Sequence, residues 1–152
     1  MTTQLVVAID VPRLERATEL IHLLAPLNVT FKVGYEALYG YGDELRPALD
    51  AVSAAYMLDA KLHDIPRTVQ AAVRALVRPG LRFLTVHALG GRTMLKAAVD
   101  AAAERAAELA IPAPGLLAIT VLTSIGAAEL GELGLQGGPG RMVPDRTELN
   151  SK

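Results

Sequence analysis

Three charged residues stand close together near the middle of the chain, in the segment LDAKLHDIPRTV at residues 58–69. Asp59 and Lys61 are two positions apart in an apolar run, and Asp64 follows three positions later. Side chains two apart on a β-strand point to the same face, so Asp59 and Lys61 are expected side by side. Each Asp–Lys attraction at ~4 Å contributes on the order of 1–4 kcal/mol in a protein cleft. Carboxylates in this arrangement keep a lysine charged. Lys61 can therefore donate a proton to a carbanion, while Asp59 would repel a substrate anion placed beside it.

The elements that would position these residues are short apolar runs separated by helical patterns. Strands are predicted at residues 4–10, 28–33, 55–61, 82–87 and 115–120. Between the strands, apolar residues recur at helical spacing, and a last helical fragment is predicted at residues 127–133. Strands that alternate with helices indicate a parallel sheet with right-handed crossovers.

Two architectures fit this alternation, an open doubly wound sheet and a (β/α)8 barrel of the TIM type. The doubly wound fold favours a G-x-G-x-x-G motif after the first strand, and DVPRLE at residues 10–15 lacks it. A barrel brings the carboxyl ends of all its strands to one mouth, where catalytic residues gather. The residues at or just past the predicted strand ends are Asp10, Lys32, Asp59, Lys61 and His87. The sequence therefore predicts an α/β fold of the TIM-barrel type.

The predicted barrel is incomplete, because residues 1–135 supply only about five βα units of the eight that the fold requires. Residues 136–152 change to Gly, Pro and charged residues with no strand pattern. Such a composition is typical of a linker, a disordered tail or out-of-frame sequence. We therefore expect residues 1–135 to form the first five units of a truncated barrel, followed by an irregular tail at 136–152.

The composition excludes several classes of protein. The net charge is −1 and no run of basic residues occurs, so neither nucleic acid nor a membrane surface is an expected partner. The chain has no Cys, which excludes disulfides and thiolate metal sites and fits a reducing compartment. No basic leader precedes the first apolar run, and no stretch approaches the roughly 20 apolar residues of a membrane-spanning helix. We expect a soluble, cytoplasmic protein.

The segment DAKLHDIPRT resembles the D-x-K-x-x-D-I-P-x-T signature of the orotidine 5′-monophosphate decarboxylase family. Four further segments resemble that family's strand ends in the same order: LVVAIDVP, FKVGYEALYGYG, VHALGG and ITVLTS. The resemblance covers roughly residues 4–135. It implies a carbon–carbon lyase of pyrimidine biosynthesis that converts orotidine 5′-monophosphate to UMP without a metal or an organic cofactor.

The resemblance also implies a role for each matching residue. Lys61 would protonate C6 of the pyrimidine after CO₂ leaves, and Asp59 would crowd the substrate carboxylate. Asp10 would bind a ribose hydroxyl, and Lys32 would touch the ribose as part of an alternating Lys–Asp network. Ser124 would hydrogen-bond the pyrimidine amide.

A homodimer is implied as well, in which one subunit completes the site of the other. Asp64, Ile65 and Thr68 would reach into the neighbouring subunit's site. The family holds the substrate phosphate with a Gln-bearing loop and a Gly-Arg pair after its last strands, and nothing after Leu135 matches either element. The resemblance therefore leads us to expect weak nucleotide binding by this chain.

Several alternatives remain open on the sequence. Metal-dependent sugar-phosphate decarboxylases and aldolases of the same suprafamily also carry D-x-K-x-x-D, although Ile-Pro-x-Thr after the second Asp favours the nucleotide enzyme. An inactive truncated or split fragment is the alternative from a different class. Ser124 could instead be the N-cap of the helix near Ala127, and His87 a packed residue at a strand end. The glycines at 90–91 could cradle a phosphate or form a βα turn.

Overall fold

The computed structural model of the chain describes residues 4–133, in which strands and helices alternate as the sequence predicts. The five strands are β1 (Val6–Ala8), β2 (Thr30–Val33), β3 (Tyr56–Leu62), β4 (Leu81–His87) and β5 (Gly115–Ile119). The helices are α1 (Leu14–Leu24), α2 (Tyr35–Gly40), α3 (Arg46–Ala51), α4 (Pro66–Leu76), α5 (Gly91–Glu108) and α6 (Ala127–Glu132). Short 3₁₀ turns occupy Ala25–Leu27, Gly42–Leu45 and Ala88–Gly90.

The strands form one sheet in the order β1-β2-β3-β4-β5. The first four pair in parallel, with Val6 opposite Thr30 and Phe31 opposite Tyr56. Each strand therefore lies beside its neighbours in the sequence, with helical segments in the crossovers. This sequential order is that of a (β/α)8 barrel, whereas a doubly wound sheet reverses its order at a switch point. The prediction of a barrel-type α/β fold is confirmed, with five strands among the described residues.

The core is aliphatic, as the small number of aromatic residues requires. The side chains of the central strands are largely buried, with Phe31 on β2 and Leu84 on β4 almost wholly enclosed. Helices α4 and α5 pack against each other. Val69 and Val73 of α4 are buried, and the buried residues of α5 are Met94 and four alanines, Ala98, Ala101, Ala102 and Ala106.

The helical segment between β2 and β3 consists of two short helices rather than one long one. It is interrupted, since α2 ends at Gly40 and a 3₁₀ turn over Gly42–Leu45 leads into α3. Gly42 has a φ of +51°, a left-handed backbone that glycine adopts without steric cost. Pro47 then stands in the first turn of α3, where its missing N–H leaves no hydrogen bond unmade.

The chain divides into two compact units, Met1–Ala118 and Ile119–Lys152. The described part of the second unit contains α6, whose N-cap residue Gly126 donates its N–H to Glu129 Oε2 at 3.2 Å. The irregular tail predicted at residues 136–152 lies outside the described residues. Over residues 4–133, the structure has no helix with both the length and the apolarity to cross a membrane.

Candidate active site

Four charged side chains lie in a row across the carboxyl ends of the first three strands. Lys32 Nζ is 3.0 Å from Asp10 Oδ2 and 3.9 Å from Asp59 Oδ2. Lys61 Nζ is 2.9 Å from the same Oδ2 of Asp59. The signs of these charges alternate along the row, which we term the charge array. Asp59, at its centre, is only 14% exposed, whereas Asp10, at its end, is 45% exposed.

The loop after β1 holds Asp10 in this row. The Ile9 N–H donates to the Lys32 carbonyl at 2.9 Å, which continues the pairing of β1 with β2 beyond Ala8. The Tyr41 hydroxyl donates to the Val11 carbonyl at 3.1 Å and so fixes the backbone on the other side of Asp10. The pKa of Tyr41 is raised, chiefly by burial and further by the carboxylates of Glu36 and Asp10.

Gly34 follows β2 directly beneath Asp10 and Lys32. A Cβ atom placed on Gly34 would lie 2.7 Å from Asp10 Oδ1 and 3.2 Å from Lys32 Nζ. The first of these distances is too short for any real Cβ contact, so a side chain here would displace the carboxylate. The close approach of the two charged groups therefore depends on a residue without a side chain.

Strand β3 leaves its regular pairing where it presents Asp59 and Lys61. Leu58 lies opposite Leu84 of β4, and the next pair joins Leu62 to Val86, so β3 advances four residues while β4 advances two. Within this bulge Lys61 has a φ of +44°. A residue with a side chain in this left-handed conformation costs on the order of 1–2 kcal/mol and persists only where its surroundings hold it.

Thr85 of β4 fills the position opposite the bulge. Its hydroxyl accepts a hydrogen bond from the Lys61 N–H at 2.8 Å and donates one to Asp59 Oδ1 at 3.0 Å. The sequence reasoning missed this residue. Its signal was a hydroxyl within the apolar run RFLTVH, because a buried polar group must find a hydrogen-bond partner.

Tyr35, the first residue of α2, lies against the other side of Lys61. The Lys61 ammonium is 5.2 Å from the centre of the Tyr35 ring, which is the range of a cation–π contact. The Tyr35 hydroxyl donates to the Ala60 carbonyl at 3.1 Å. The sequence reasoning assigned no role to this tyrosine either.

Asp64, Ile65 and Thr68 do not join the charge array of their own chain. All three side chains are exposed, and none of the ion pairs among the described residues joins Asp64 to a lysine. Asp64 Oδ1 instead accepts a hydrogen bond from the Ile65 N–H at 2.7 Å, just before α4 begins. The predicted action of these residues in a neighbouring subunit stays a prediction.

Ser124 and the glycines at 90–91 are further candidates from the sequence. Ser124 is exposed in the turn before α6, within the second unit, and the N-cap of α6 is Gly126. The alternative in which Ser124 caps that helix is therefore wrong, and its contact with a pyrimidine stays a prediction. Gly91 has a φ of +77° where the 3₁₀ turn meets α5, which agrees with a βα turn that needs glycine.

Two histidines stack at the ends of β3 and β4. The rings of His63 and His87 have centroids 4.9 Å apart and planes 15° from parallel. The pKa of His87 is lowered, first by burial and then by the nearby His63. His87 thus agrees with the interpretation as a packed strand-end residue, whereas no pattern in the sequence singled out His63.

The charge array does not line the small cavity enclosed between α2, α3 and the sheet. That cavity is bounded by apolar side chains together with Tyr56, Asp43, Arg46 and Arg78. Among residues 4–133, no group of three or more His, Asp or Glu side chains is arranged to hold a metal ion.

Comparison with known proteins places this chain in a family. Residues 3–151 match the family described as Orotidine 5′-phosphate decarboxylase / HUMPS family. The orotidine 5′-phosphate decarboxylase of Moorella thermoacetica is 44% identical over 122 residues, which are 80% of this chain and 48% of that protein. The enzyme of the same name from Lactiplantibacillus plantarum is 41% identical over 133 residues, which are 87% of this chain and 56% of that protein. The chain thus spans about half the length of these curated relatives.

Two solved structures are also similar to this chain. A crystal structure of orotidine 5′-phosphate decarboxylase from Lactobacillus acidophilus superimposes with a TM-score of 0.80 at 34% identity, covering 93% of this chain and 64% of that one. An uncharacterized conserved protein from Geobacillus kaustophilus gives a TM-score of 0.82 at 32% identity, covering 91% of this chain and 64% of that one. On the match of nearly the whole sequence, this chain belongs to the orotidine 5′-phosphate decarboxylase / HUMPS family.

Proposed function

We propose that this chain takes part in the decarboxylation of orotidine 5′-monophosphate to UMP. The observation that carries the proposal is the charge array, in which two carboxylates and two ammonium groups alternate, each within 3.9 Å of the next. The relatives named orotidine 5′-phosphate decarboxylase support the same reaction. The chain spans about half the length of these relatives, so the alternative to this proposal is an inactive fragment of the enzyme, and an assay of the chain separates the two.

In the proposed reaction the bond between C6 and the carboxylate carbon breaks. CO₂ leaves, and the electron pair of the broken bond remains on C6. Lys61 then donates a proton from its ammonium group to C6, which gives UMP. Asp59, held beside Lys61 at 2.9 Å, places a negative charge where the substrate carboxylate would lie and so disfavours the ground state. This is catalysis by charges fixed in place before the reaction begins.

Other residues would bind the nucleotide. Asp10 and Lys32 stand at the more exposed end of the array, where a ribose hydroxyl could exchange hydrogen bonds with both. Ser124 is proposed to hydrogen-bond the pyrimidine amide, on the resemblance of its segment to the family. No metal or organic cofactor has a part in the proposed reaction.

We further propose a cytoplasmic homodimer. Asp64, Ile65 and Thr68 are exposed beside the array without joining it, which suits residues that act on a neighbouring subunit. Ile65 is a large apolar side chain that is 65% exposed, and it would be covered in such an interface.

The deciding experiment is an assay of the full chain with orotidine 5′-monophosphate, followed by the loss of substrate absorbance and the release of CO₂. Lys61→Ala should lower the rate by at least about 100-fold, because general-acid catalysis contributes on that order. Lys96→Ala is the matched control, since Lys96 is 73% exposed on α5 and pairs with Asp100, one turn along the same helix. An inactive wild-type chain, or a Lys61→Ala variant with a tenth of the wild-type activity, would contradict the proposal.

The second candidate is a metal-dependent sugar-phosphate decarboxylase or aldolase, because such enzymes also carry the D-x-K-x-x-D pattern that Asp59, Lys61 and Asp64 form here. The nucleotide enzyme is favoured over this candidate because the second Asp is followed by the Ile-Pro-x-Thr pattern of Ile65, Pro66 and Thr68. Removal of metal with a chelator separates the two, because each Asp of the array already has a lysine counter-ion. Unchanged decarboxylation after dialysis supports the nucleotide enzyme, and activity restored by Mg²⁺ supports the sugar-phosphate enzyme.

A further inference from the structure

We propose that Thr85 is a positioning residue for the charge array, an inference that rests on the proposed function. Its hydroxyl is the link between β4 and the two residues of the array that β3 supplies. It accepts from the Lys61 N–H at 2.8 Å and donates to Asp59 Oδ1 at 3.0 Å. Thr85 is fully buried, so it acts on a substrate only through these two residues.

The hydrogen-bonding capacity of the hydroxyl fits both tasks. A threonine hydroxyl has one O–H to donate and lone pairs to accept, and here the donor goes to a carboxylate while a backbone N–H approaches the oxygen. Water cannot substitute for either contact where the side chain is fully enclosed. Loss of the hydroxyl would therefore leave the Lys61 N–H and one oxygen of Asp59 without these partners.

The two oxygens of Asp59 are held by different groups. Oδ2 lies against the ammonium groups of Lys61 and Lys32, at 2.9 Å and 3.9 Å. Oδ1 accepts the hydrogen bond from Thr85. Because both oxygens have contacts, the orientation of the carboxylate plane is fixed as well as the position of the group. The two lysines, which contact only Oδ2, would not fix that orientation by themselves.

The backbone of Lys61 gives the same hydroxyl a second effect. Lys61 lies in the bulge of β3 with a φ of +44°, a conformation that must be held by its surroundings. Its N–H has no partner in the regular pairing there and uses Thr85 Oγ1 instead. Thr85 thus controls the direction in which the Lys61 side chain leaves the strand, and a change here should affect catalysis more than binding.

The test compares Thr85→Val, which keeps the shape and removes the hydroxyl, with Thr85→Ser, which keeps the hydroxyl. Thr30→Val is the control, because Thr30 is also buried, on β2, and has no hydrogen bond to the array. Circular dichroism checks the fold of each full-length variant. Two quantities are then measured: the hydrogen-exchange rate of the Lys61 amide by NMR, and kcat and KM with orotidine 5′-monophosphate.

Thr85→Val should lower kcat by about 10- to 100-fold with KM changed less than about threefold, as expected for a lost hydrogen bond to a charged group. The Lys61 amide should exchange at least about tenfold faster in this variant. Thr85→Ser should restore both quantities, and Thr30→Val should change neither. The inference would be overturned if Thr85→Val kept the wild-type kcat. It would also be overturned if Thr85→Val lost kcat and affinity equally and Thr85→Ser did not restore them.

Two further outcomes separate this inference from the proposed function. Rapid exchange of the Lys61 amide in the wild-type chain overturns the role of Thr85 without any variant, even if Thr85→Val fails to fold. A wild-type chain that does not decarboxylate the nucleotide refutes the proposed function instead. In that case the inference is decided by hydrogen exchange alone. The exchange rate of the Lys61 amide is compared between the wild-type chain, Thr85→Val and Thr85→Ser, and this comparison shows whether the Thr85 hydroxyl holds the bulge.

Discussion

The ammonium of Lys61 lies between a carboxylate and an aromatic ring, 2.9 Å from Asp59 Oδ2 and 5.2 Å from the centre of Tyr35. The negative face of the ring adds to the field of the carboxylate, so both groups favour the same place for the positive charge. Tyr35 belongs to α2 and Asp59 to β3. The position of the proposed proton donor is thus determined by two elements that the chain supplies separately.

Replacement of Tyr35 should separate the effect of its ring from that of its hydroxyl. Tyr35→Phe keeps the ring face and loses the hydrogen bond to the Ala60 carbonyl, whereas Tyr35→Leu loses both. We expect Leu to lower the free energy of unfolding in urea by about 0.5–1 kcal/mol more than Phe does. Leu23→Ala, at a residue 69% exposed on α1, is the control and should change the free energy of unfolding little. Equal free energies of unfolding for Tyr35→Phe and Tyr35→Leu would show that the ring face contributes nothing to stability.

Gly34→Ala should open the array at its exposed end. The new Cβ would meet Asp10 Oδ1 at 2.7 Å, so Asp10 must move away from Lys32. We expect a loss of about 1–3 kcal/mol in the free energy of unfolding, the usual cost of overpacking. Gly40→Ala is the matched control, because nothing lies within 4 Å of its added Cβ and alanine favours a helix. If the two variants are equally stable, Gly34 does not limit the approach of the charges.

The stacked histidines predict a dependence of stability on pH. Burial, and then His63, lowers the pKa of His87 below its ordinary value of 6.5. The unfolded chain therefore binds a proton at a higher pH than the folded chain does. The contribution of His87 to stability is complete above about pH 6.5 and is lost as the pH falls from there through the folded value. An NMR titration of the His87 ring measures this directly.

His63→Gln tests the second cause of that shift. The pKa of His87 should rise toward 6.5 in this variant without reaching it, since burial is the larger cause. The His22→Gln variant serves as the control, because His22 is exposed on α1 and is not stacked on His87. A pKa of His87 at or above 6.5 in the wild-type chain would contradict the stacked arrangement.

Asp64 should act across a dimer interface. Asp64→Ala and Lys61→Ala subunits would each be inactive as homodimers, but a mixed dimer would contain one intact site. Equal mixing should restore about a quarter of the wild-type decarboxylation, since half of the dimers are mixed and half of their sites are intact. Lys61→Ala mixed with Asp59→Ala is the control and should stay inactive, because both residues belong to the array of one chain. Inactive Asp64 mixtures, despite proven subunit exchange, would show that Asp64 works within its own chain.

The strands and the members of the charge array could be predicted from the sequence because both depend on local patterns. Apolar runs mark the buried strands, and a parallel sheet carries Asp10, Lys32, Asp59 and Lys61 to one edge wherever the exact strand bounds fall. An error of two residues at each end of β1, predicted at 4–10 and observed at Val6–Ala8, therefore did not alter which charges meet.

The residues that hold the array could not be predicted in the same way. Thr85 meets Asp59 only because β3 gains a bulge relative to β4, and a register shift between strands leaves no mark in either strand alone. Tyr35 meets Lys61 through the direction in which α2 leaves β2. His63 meets His87 across the ends of neighbouring strands. Each contact depends on the packing of elements rather than on the spacing of residues.

The sequential order of the strands has a consequence for how the array forms as the chain folds. Asp10 and Lys32 are 22 residues apart, and Asp59 and Thr85 are 26 apart, so each contact closes a loop of a single βα unit. The entropy lost on closing a loop grows only with the logarithm of its length, and short loops of similar size keep every step small. The charges alternate in the same order as the strands that carry them. A nascent sheet that grows one unit at a time therefore adds Lys32 to Asp10 and then adds Asp59, together with Lys61 from the same strand, to Lys32. At no stage must it bring two like charges together before their counter-ion arrives.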